Sequence, residues 1–268
     1  MPDPSTRNSW PFPPRTREVQ FDEKWGFVSK KEKSCDPTDP LDRFRGDDWD
    51  HTAVDPESRL LLCLVPGKRD GAACKQVVQQ VHDRTGGRTD LLLSSDEHAS
   101  YETAIREVYG IERSRPRRPG PGRPPKPEKV LPSELCYATV RKRREKGRVV
   151  EVVRTLVFGT LALLWARLNR STASTTINTS FVERHNGTDR RQNSRKHRKT
   201  YGFSKELELH HAASYFIGYT YNFCWCVRTL RVRGGDGCYM ARTPAMAAGL
   251  SGHVWSLWEW VTYPARPC

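Results

Sequence analysis

Short apolar segments alternate with stretches of helical periodicity through the first hundred residues. The segment VQFDEKWGFV at 19–28 is rich in aromatic and β-branched residues, which is typical of a strand. Continuous apolar runs at 59–65 and 91–93 predict strands that are buried on both faces. Apolar residues at helical spacing predict helices at 70–84 and 99–109, the first of them capped by Asp70. The order of strands, helix, strand and helix favours an α/β fold with a mixed sheet.

The second half of the chain begins with an interruption. Residues 112–132 are basic and rich in Pro and Gly, a composition that disfavours regular structure. A β-hairpin turning at 145–147, a short helix at 161–168 and two longer helices within 181–230 follow. We therefore divide the chain into a disordered tail (1–16), a first part of the core (17–112), a basic Pro-rich linker and hairpin insertion (113–180), the C-terminal helices of the core (181–233) and an irregular tail (234–268).

Charge narrows the range of partners. The 45 Lys and Arg residues exceed the 31 Asp and Glu residues, which gives a formal net charge of +14. Such a surplus attracts polyanions, namely nucleic acid, an anionic membrane surface or an acidic protein. No apolar run approaches the roughly 20 residues that span a bilayer, and the first residues lack the apolar centre of a signal peptide. We expect a soluble, cytoplasmic protein with no membrane partner.

The spacing of the cysteines also favours a cytosolic protein. The eight cysteines include no CxxC pair, so the common zinc-finger and redox spacings are absent. Reduced cysteines scattered through a cytosolic protein are the expectation.

Two carboxylates occupy positions where function is expected. Asp22 lies inside an apolar strand, where an ionised carboxylate is costly unless a cation or metal compensates it. Asp96 lies where a buried strand ends and a helix begins, the place where ligand sites gather in open α/β sheets. Structural alternatives remain open: Asp96 could cap the helix, and Asp22 could pair with Lys24 or a distant arginine.

A third segment combines a carboxylate with basic residues. Glu183, Asn186 and Arg190 fall at i, i+3 and i+7, which places them on one face of a helix. The basic residues Arg191, Arg195, Lys196, Arg198 and Lys199 follow and suit a phosphate backbone. The alternative is a solvated basic face without a ligand. The acidic cluster at 46–50 lies in a segment predicted as loop, and Asp55 lies in a predicted turn.

The segments QFDEKWGFV, SSDEHASYE and FVERHNGTDRR followed by RKTYGFSK resemble the three catalytic blocks of the insertion-sequence-1 family of DDE transposases. The match covers about 17–110 and 178–230. It implies a ribonuclease-H-like mixed sheet flanked by helices, and Asp22, Asp96 and Glu183 as catalytic ligands of two Mg²⁺ ions, with Mn²⁺ as a substitute. The resemblance and the basic pattern together predict DNA contacts by Asn186, Arg190, Arg191, Arg195, Arg198, Lys199 and Lys205.

The chain departs from the family pattern in two ways. Asp96 and Glu183 are 87 residues apart (183 − 96), farther than in compact family members, so we expect an insertion between the second and third blocks. Family members also carry an N-terminal DNA-recognition part, which we expect to be absent here or encoded upstream and joined by frameshifting.

The expected function is DNA transposition, through metal-dependent strand cleavage and joining by a homo-oligomer on transposon ends. A catalytically silent DNA-binding remnant is the main alternative. A ribonuclease acting on RNA–DNA hybrids shares the fold class, but the third block does not favour it.

Overall fold

The computed structural model describes residues 15–114, 127–235 and 237–263. Most of the predicted N-terminal tail, residues 115–126 of the predicted linker, residue 236 and the last five residues of the chain lie outside the described residues. Among the described helices, none combines the length and apolar character that crossing a membrane requires.

The first half of the chain supplies four strands and two helices, in the predicted order. They are β1 (Glu18–Val28), β2 (Gly46–Val54), β3 (Leu61–Gly67), α1 (Gly71–Arg84), β4 (Leu92–Asp96) and α2 (Ala99–Tyr109). Asp70 caps α1 as predicted, since its side chain accepts a hydrogen bond of 2.9 Å from the backbone N–H of Ala73.

The second half begins with strands and continues with helices. Its elements are β5 (Ile111–Arg113), β6 (Glu128–Val130), β7 (Cys136–Glu145), β8 (Arg148–Phe158), α3 (Leu161–Arg170), α4 (Ser180–Gln192), α5 (Leu207–Cys224), β9 (Val232–Arg233), β10 (Tyr239–Met240), α6 (Pro244–Ala247) and α7 (Leu257–Thr262). The hairpin turns where predicted, and Lys146 and Gly147 both have positive φ, at 49° and 79°. The first of the two longer helices predicted within 181–230 ends at Gln192, and a 3-10 turn over Ser194–Lys196 follows it.

Six strands form one mixed sheet in the order β3-β2-β1-β4-β7-β8. β1 pairs antiparallel with β2 and parallel with β4; β2–β3 and β7–β8 are antiparallel, and β4–β7 is parallel. Helices cover both faces: α1 and α2 lie over an apolar core that includes Val19 and Phe21, and α3, α4 and α5 lie on the opposite side. The predicted mixed α/β sheet is confirmed, and its strand order is compatible with a ribonuclease-H-like arrangement.

The hairpin that we assigned to an insertion is part of this sheet. Residues 136–140 of β7 are buried and pair in parallel with all five residues of β4. The Pro-rich segment before β7 interrupts the sequence pattern, so the strand beyond it resembled the start of an added unit. Burial of five consecutive residues, CYATV, is instead what a central parallel strand requires.

The acidic segment at 46–50, predicted as loop, is also part of the sheet. It forms the first half of β2 and pairs with β1 between Lys24 and Phe27. A strand can carry these buried acidic residues because side chains from other segments contact Asp48 and Asp50. Lys24 and Lys196 bind Asp50, and His211 lies 3.0 Å from Asp48.

Candidate functional site

One face of β1 is polar along most of its length. Successive side chains of a strand alternate between faces, so Val19 and Phe21 enter the apolar core under α1 and α2. Glu18, Gln20, Asp22 and Lys24 face the opposite side, where α4 lies. This face holds the candidate site.

Three polar contacts fix α4 against β1. Gln20 Oε1 accepts hydrogen bonds from the first backbone N–H groups of the helix, at Phe181 and Val182 (3.0 and 3.2 Å). Asp22 Oδ2 accepts a 2.9 Å hydrogen bond from Asn186 Nδ2, and Lys24 forms an ion pair with Asp189. Side chains on one face of a strand repeat about every 6.6 Å, and successive turns of a helix are about 5.4 Å apart. Because these two spacings are similar, β1 contacts α4 about once per helical turn.

Asp22 and Asp96 come together at the end of β4. The two strands pair in parallel at Gln20 and Ser94, and the carboxylates lie two residues farther along. One oxygen from each of Asp22, Glu23 and Asp96 falls within 4.8 Å of the others. Asp22 and Asp96, which the resemblance implies as ligands of one metal site, therefore lie close together in the fold.

The electrostatics of this pair favour a cation. Burial raises the pKa of Asp22 to about 7; the Asp96 and Glu23 charges add to the effect, and the Asn186 hydrogen bond opposes it. Burial and the Glu23 charge also raise the pKa of Asp96. Asp96 Oδ1 is buried and has no hydrogen-bond partner among the described residues. A cation between the two carboxylates would relieve the repulsion and satisfy that oxygen.

Glu183 is not part of the cluster that Asp22, Glu23 and Asp96 form. Its carboxylate binds the ammonium group of Lys142 and accepts a 2.6 Å hydrogen bond from Thr179 Oγ1. Lys142 lies on β7 two residues beyond Val140, which pairs with Asp96. The side chain of Glu183 is 41% exposed. The structure brings Asp22 and Asp96 together, whereas the Glu183 carboxylate contacts Lys142 and Thr179.

The predicted DNA-binding residues occupy different environments. Asn186 is buried, where it donates to Asp22 and accepts a 3.2 Å hydrogen bond from Thr52. Arg190 and Arg195 are half-buried, and burial lowers the pKa of Arg190. The exposed members of the set are Arg191, Arg198, Lys199 and Lys205.

The structure contains a buried network of four charged residues that the sequence pattern did not predict. Lys24 binds Asp189 and lies 3.0 Å from Asp50, and Lys196 also binds Asp50. All four side chains are at most 2% exposed. Burial alone would raise the pKa of Asp50, but Lys196 and Lys24 hold it well below its usual range. Lys196, assigned to a basic surface from the sequence, belongs instead to this network (Lys24, Asp50, Asp189 and Lys196).

Neither protein-family models nor curated proteins match this chain. One solved structure that it resembles is a Mos1 transposase paired-end complex with left transposon end. The two are 20% identical, the match covers 34% of this chain and 33% of that chain, and the TM-score is 0.23. The chain thus spans about a third of that relative.

Proposed function

We propose that this chain is a DNA transposase of the DDE type, which cleaves and joins DNA strands by metal-dependent phosphoryl transfer. The observation that carries the proposal is the Asp22–Asp96 pair, two partly buried carboxylates on adjacent parallel strands at the point where β4 ends. Resemblance of the surrounding segments to the three transposase blocks adds the reaction type and the substrate.

The donor set fits Mg²⁺, with Mn²⁺ as a substitute. Hard cations prefer carboxylate oxygens and keep several waters, and Asp96 Oδ1 is a buried oxygen without a partner in the described chain. Asp22 and Asp96 would hold two ions together with Glu183, the third ligand that the resemblance implies. When bound, one ion would activate the attacking water or 3′-hydroxyl and the other would stabilise the leaving oxygen.

Other residues of the chain have positioning roles in this proposal. Asn186 accepts a hydrogen bond from Thr52 and donates one to Asp22, so it would fix the orientation of the Asp22 carboxylate. The Arg190 guanidinium is close enough to Asp22 for their charges to interact, so it could meet a phosphate that enters the site. Arg191, Arg198, Lys199 and Lys205 are exposed and would bind the DNA backbone.

The decisive experiment is cleavage and strand joining with the purified chain, DNA and Mg²⁺. Isosteric variants Asp22→Asn, Asp96→Asn and Glu183→Gln should each lose activity to background. Asp90→Asn is a matched control, because Asp90 pairs with Arg88 away from the site. Asp22→Asn should remain folded, because it removes a buried charge and its one remaining oxygen can still accept from Asn186, although the Glu23 backbone N–H then loses its side-chain acceptor; its melting temperature checks this. Full activity in Asp96→Asn would refute the metal site.

A silent DNA-binding remnant is the second candidate, and the Lys142 contact of Glu183 favours it, because that carboxylate is not grouped with the other two. A wild-type chain that binds DNA but leaves it intact with both Mg²⁺ and Mn²⁺ would support this alternative. Offering an RNA–DNA hybrid in the same assay tests the ribonuclease alternative.

DNA binding can be tested separately from cleavage. The exposed basic residues suit phosphates rather than base edges, so we expect little sequence preference and affinity that declines steeply with salt. Removing one phosphate-binding side chain, for example by Arg198→Gln, should reduce the slope of log K against log salt by about 0.9. A preference of about 10³-fold for a terminal repeat over a scrambled duplex would contradict this expectation.

A homo-oligomer on transposon ends is a further part of the proposal that the resemblance implies.

A further inference from the structure

Behind the carboxylate pair, on the α1 side of the sheet, three metal-binding side chains converge from separate elements. Glu23 lies on β1, Cys74 in the first turn of α1, and His98 directly before α2. One donor atom from each falls within 4.8 Å of the others, and Cys74 Sγ is 3.9 Å from His98 Nδ1.

Glu23 is buried with half of its carboxylate unsatisfied. Oε2 accepts hydrogen bonds from Nε and Nη2 of Arg69, at 3.2 and 3.0 Å. Oε1 is buried, and neither this oxygen nor the neighbouring Tyr101 hydroxyl has a well-formed hydrogen bond among the described residues. A buried carboxylate oxygen without a partner costs free energy. Because Glu23 Oε1 lies beside a thiol and an imidazole, we expect a ligand that binds all three.

The other two donors are available to an ion. The Cys74 side chain is buried, and its sulfur contacts His98. His98 precedes α2 but makes no side-chain capping hydrogen bond, so its ring is not used to start that helix. It is only half-buried, which leaves a route from solvent to the cluster.

We propose that Glu23, Cys74 and His98 bind Zn²⁺ through Oε1, Sγ and Nδ1, with a fourth position open to water. Thiolate and imidazole select zinc, whereas Mg²⁺ prefers oxygen donors. Tetrahedral zinc with bonds of about 2.3 Å to sulfur and about 2.0 Å to nitrogen places those atoms roughly 3.5 Å apart. The 3.9 Å separation is close to that distance. On binding, the Cys74 thiol loses its proton to solvent and the thiolate sulfur bonds to the ion.

This site is chemically distinct from the proposed magnesium site, although Glu23 follows Asp22 directly in the sequence. It would tie β1, α1 and the segment before α2 together behind the carboxylate pair. Because Mg²⁺ binds thiolate poorly, the two metals should not compete for Cys74. Zinc binding can therefore be tested independently of DNA cleavage.

The test is a titration of the chelator-treated full chain with Co²⁺, which replaces zinc in such sites and absorbs visibly. The wild type should show a thiolate-to-cobalt charge-transfer band that Zn²⁺ abolishes and excess Mg²⁺ leaves unchanged. Cys74→Ala should lose the band. Cys63→Ala is the matched control, since Cys63 is equally buried in β3 with its sulfur near the Val77 carbonyl, and it should keep the band.

His98→Ala protects the test against misfolding of the Cys74 variant, because this half-buried position tolerates truncation. It should weaken Co²⁺ binding by about tenfold or more. An absent thiolate band in the wild type, or a band that survives in Cys74→Ala or keeps full affinity in His98→Ala, would overturn the proposal. Asp22→Asn should abolish DNA cleavage but retain the band, which separates this site from the proposed catalytic function.

Discussion

Replacing Lys24 by Met tests the buried charge network most directly. Lys24 is 1% exposed and joins Asp189 to Asp50, and Asp50 keeps Lys196 when Lys24 is removed. Asp189 then loses its only ion-pair partner among the described residues, and its Oδ1 is already without a hydrogen bond. Removing one partner of a buried pair costs about 3–5 kcal/mol, since the other charge is left uncompensated. We expect a loss within that range, a large part of the roughly 5–15 kcal/mol that folding supplies.

Urea unfolding followed by circular dichroism measures this loss, provided that the slope m is unchanged. Lys75→Met is the control, because Lys75 pairs with Glu107 at 2.7 Å with both side chains about half-exposed. It should cost less than about 1 kcal/mol. The double variant Lys24→Met with Asp189→Leu restores neutrality and should be more stable than Lys24→Met alone. A Lys24→Met variant that costs no more than the control, or a double variant that is the less stable, would refute this reasoning.

Two further predictions concern the ends of β1 and α1. Burial raises the pKa of Glu18 to about 7, opposed by hydrogen bonds from Gln20, Ser174 and Ser171. The folded state therefore binds this proton more tightly than the unfolded chain, and stability declines as pH rises from about 4.5 to 7. Glu18→Gln should gain up to about 3 kcal/mol over the wild type at pH 8 and little at pH 4; urea unfolding at both pH values checks this, and a constant difference would contradict it. Asp70→Ala should lower stability by about 1 kcal/mol by removing the α1 cap, while Asp70→Asn should retain most of it; equal melting of both variants would argue against the cap.

Local patterns in the sequence predicted the central elements. The buried runs at 59–65 and 91–93 are strands, and the apolar residues at helical spacing are α1 and α2. Asp96 ends β4 as predicted, and β4 pairs in parallel with β1 inside the predicted mixed sheet. These features depend on residues close together in the chain, so a single sequence contains enough information to find them.

Features that depend on distant partners were missed. Asp48 and Asp50 resemble loop residues because their partners, Lys196 and His211, lie about 150 residues away in the chain. The Lys142 contact of Glu183 was not predicted, because Lys142 lies on a strand that we assigned to an insertion. Glu23 and Cys74 carry no sequence motif, because their spacing acquires meaning only when β1 and α1 pack together.

The polar contacts between α4 and β1 also explain why the site depends on residues away from it. Apolar packing tolerates small shifts of a helix along a sheet, but a shift of α4 by one residue would separate Gln20, Asp22 and Lys24 from their partners together. Each buried group left unpaired costs about 1–3 kcal/mol, and more when it is charged. The register of α4 is therefore strongly specified, and with it the positions of Asn186 against Asp22 and of Glu183 one turn earlier. Lys24 contacts neither Asp96 nor Glu183, yet it helps to determine where the helix that carries Glu183 meets the sheet.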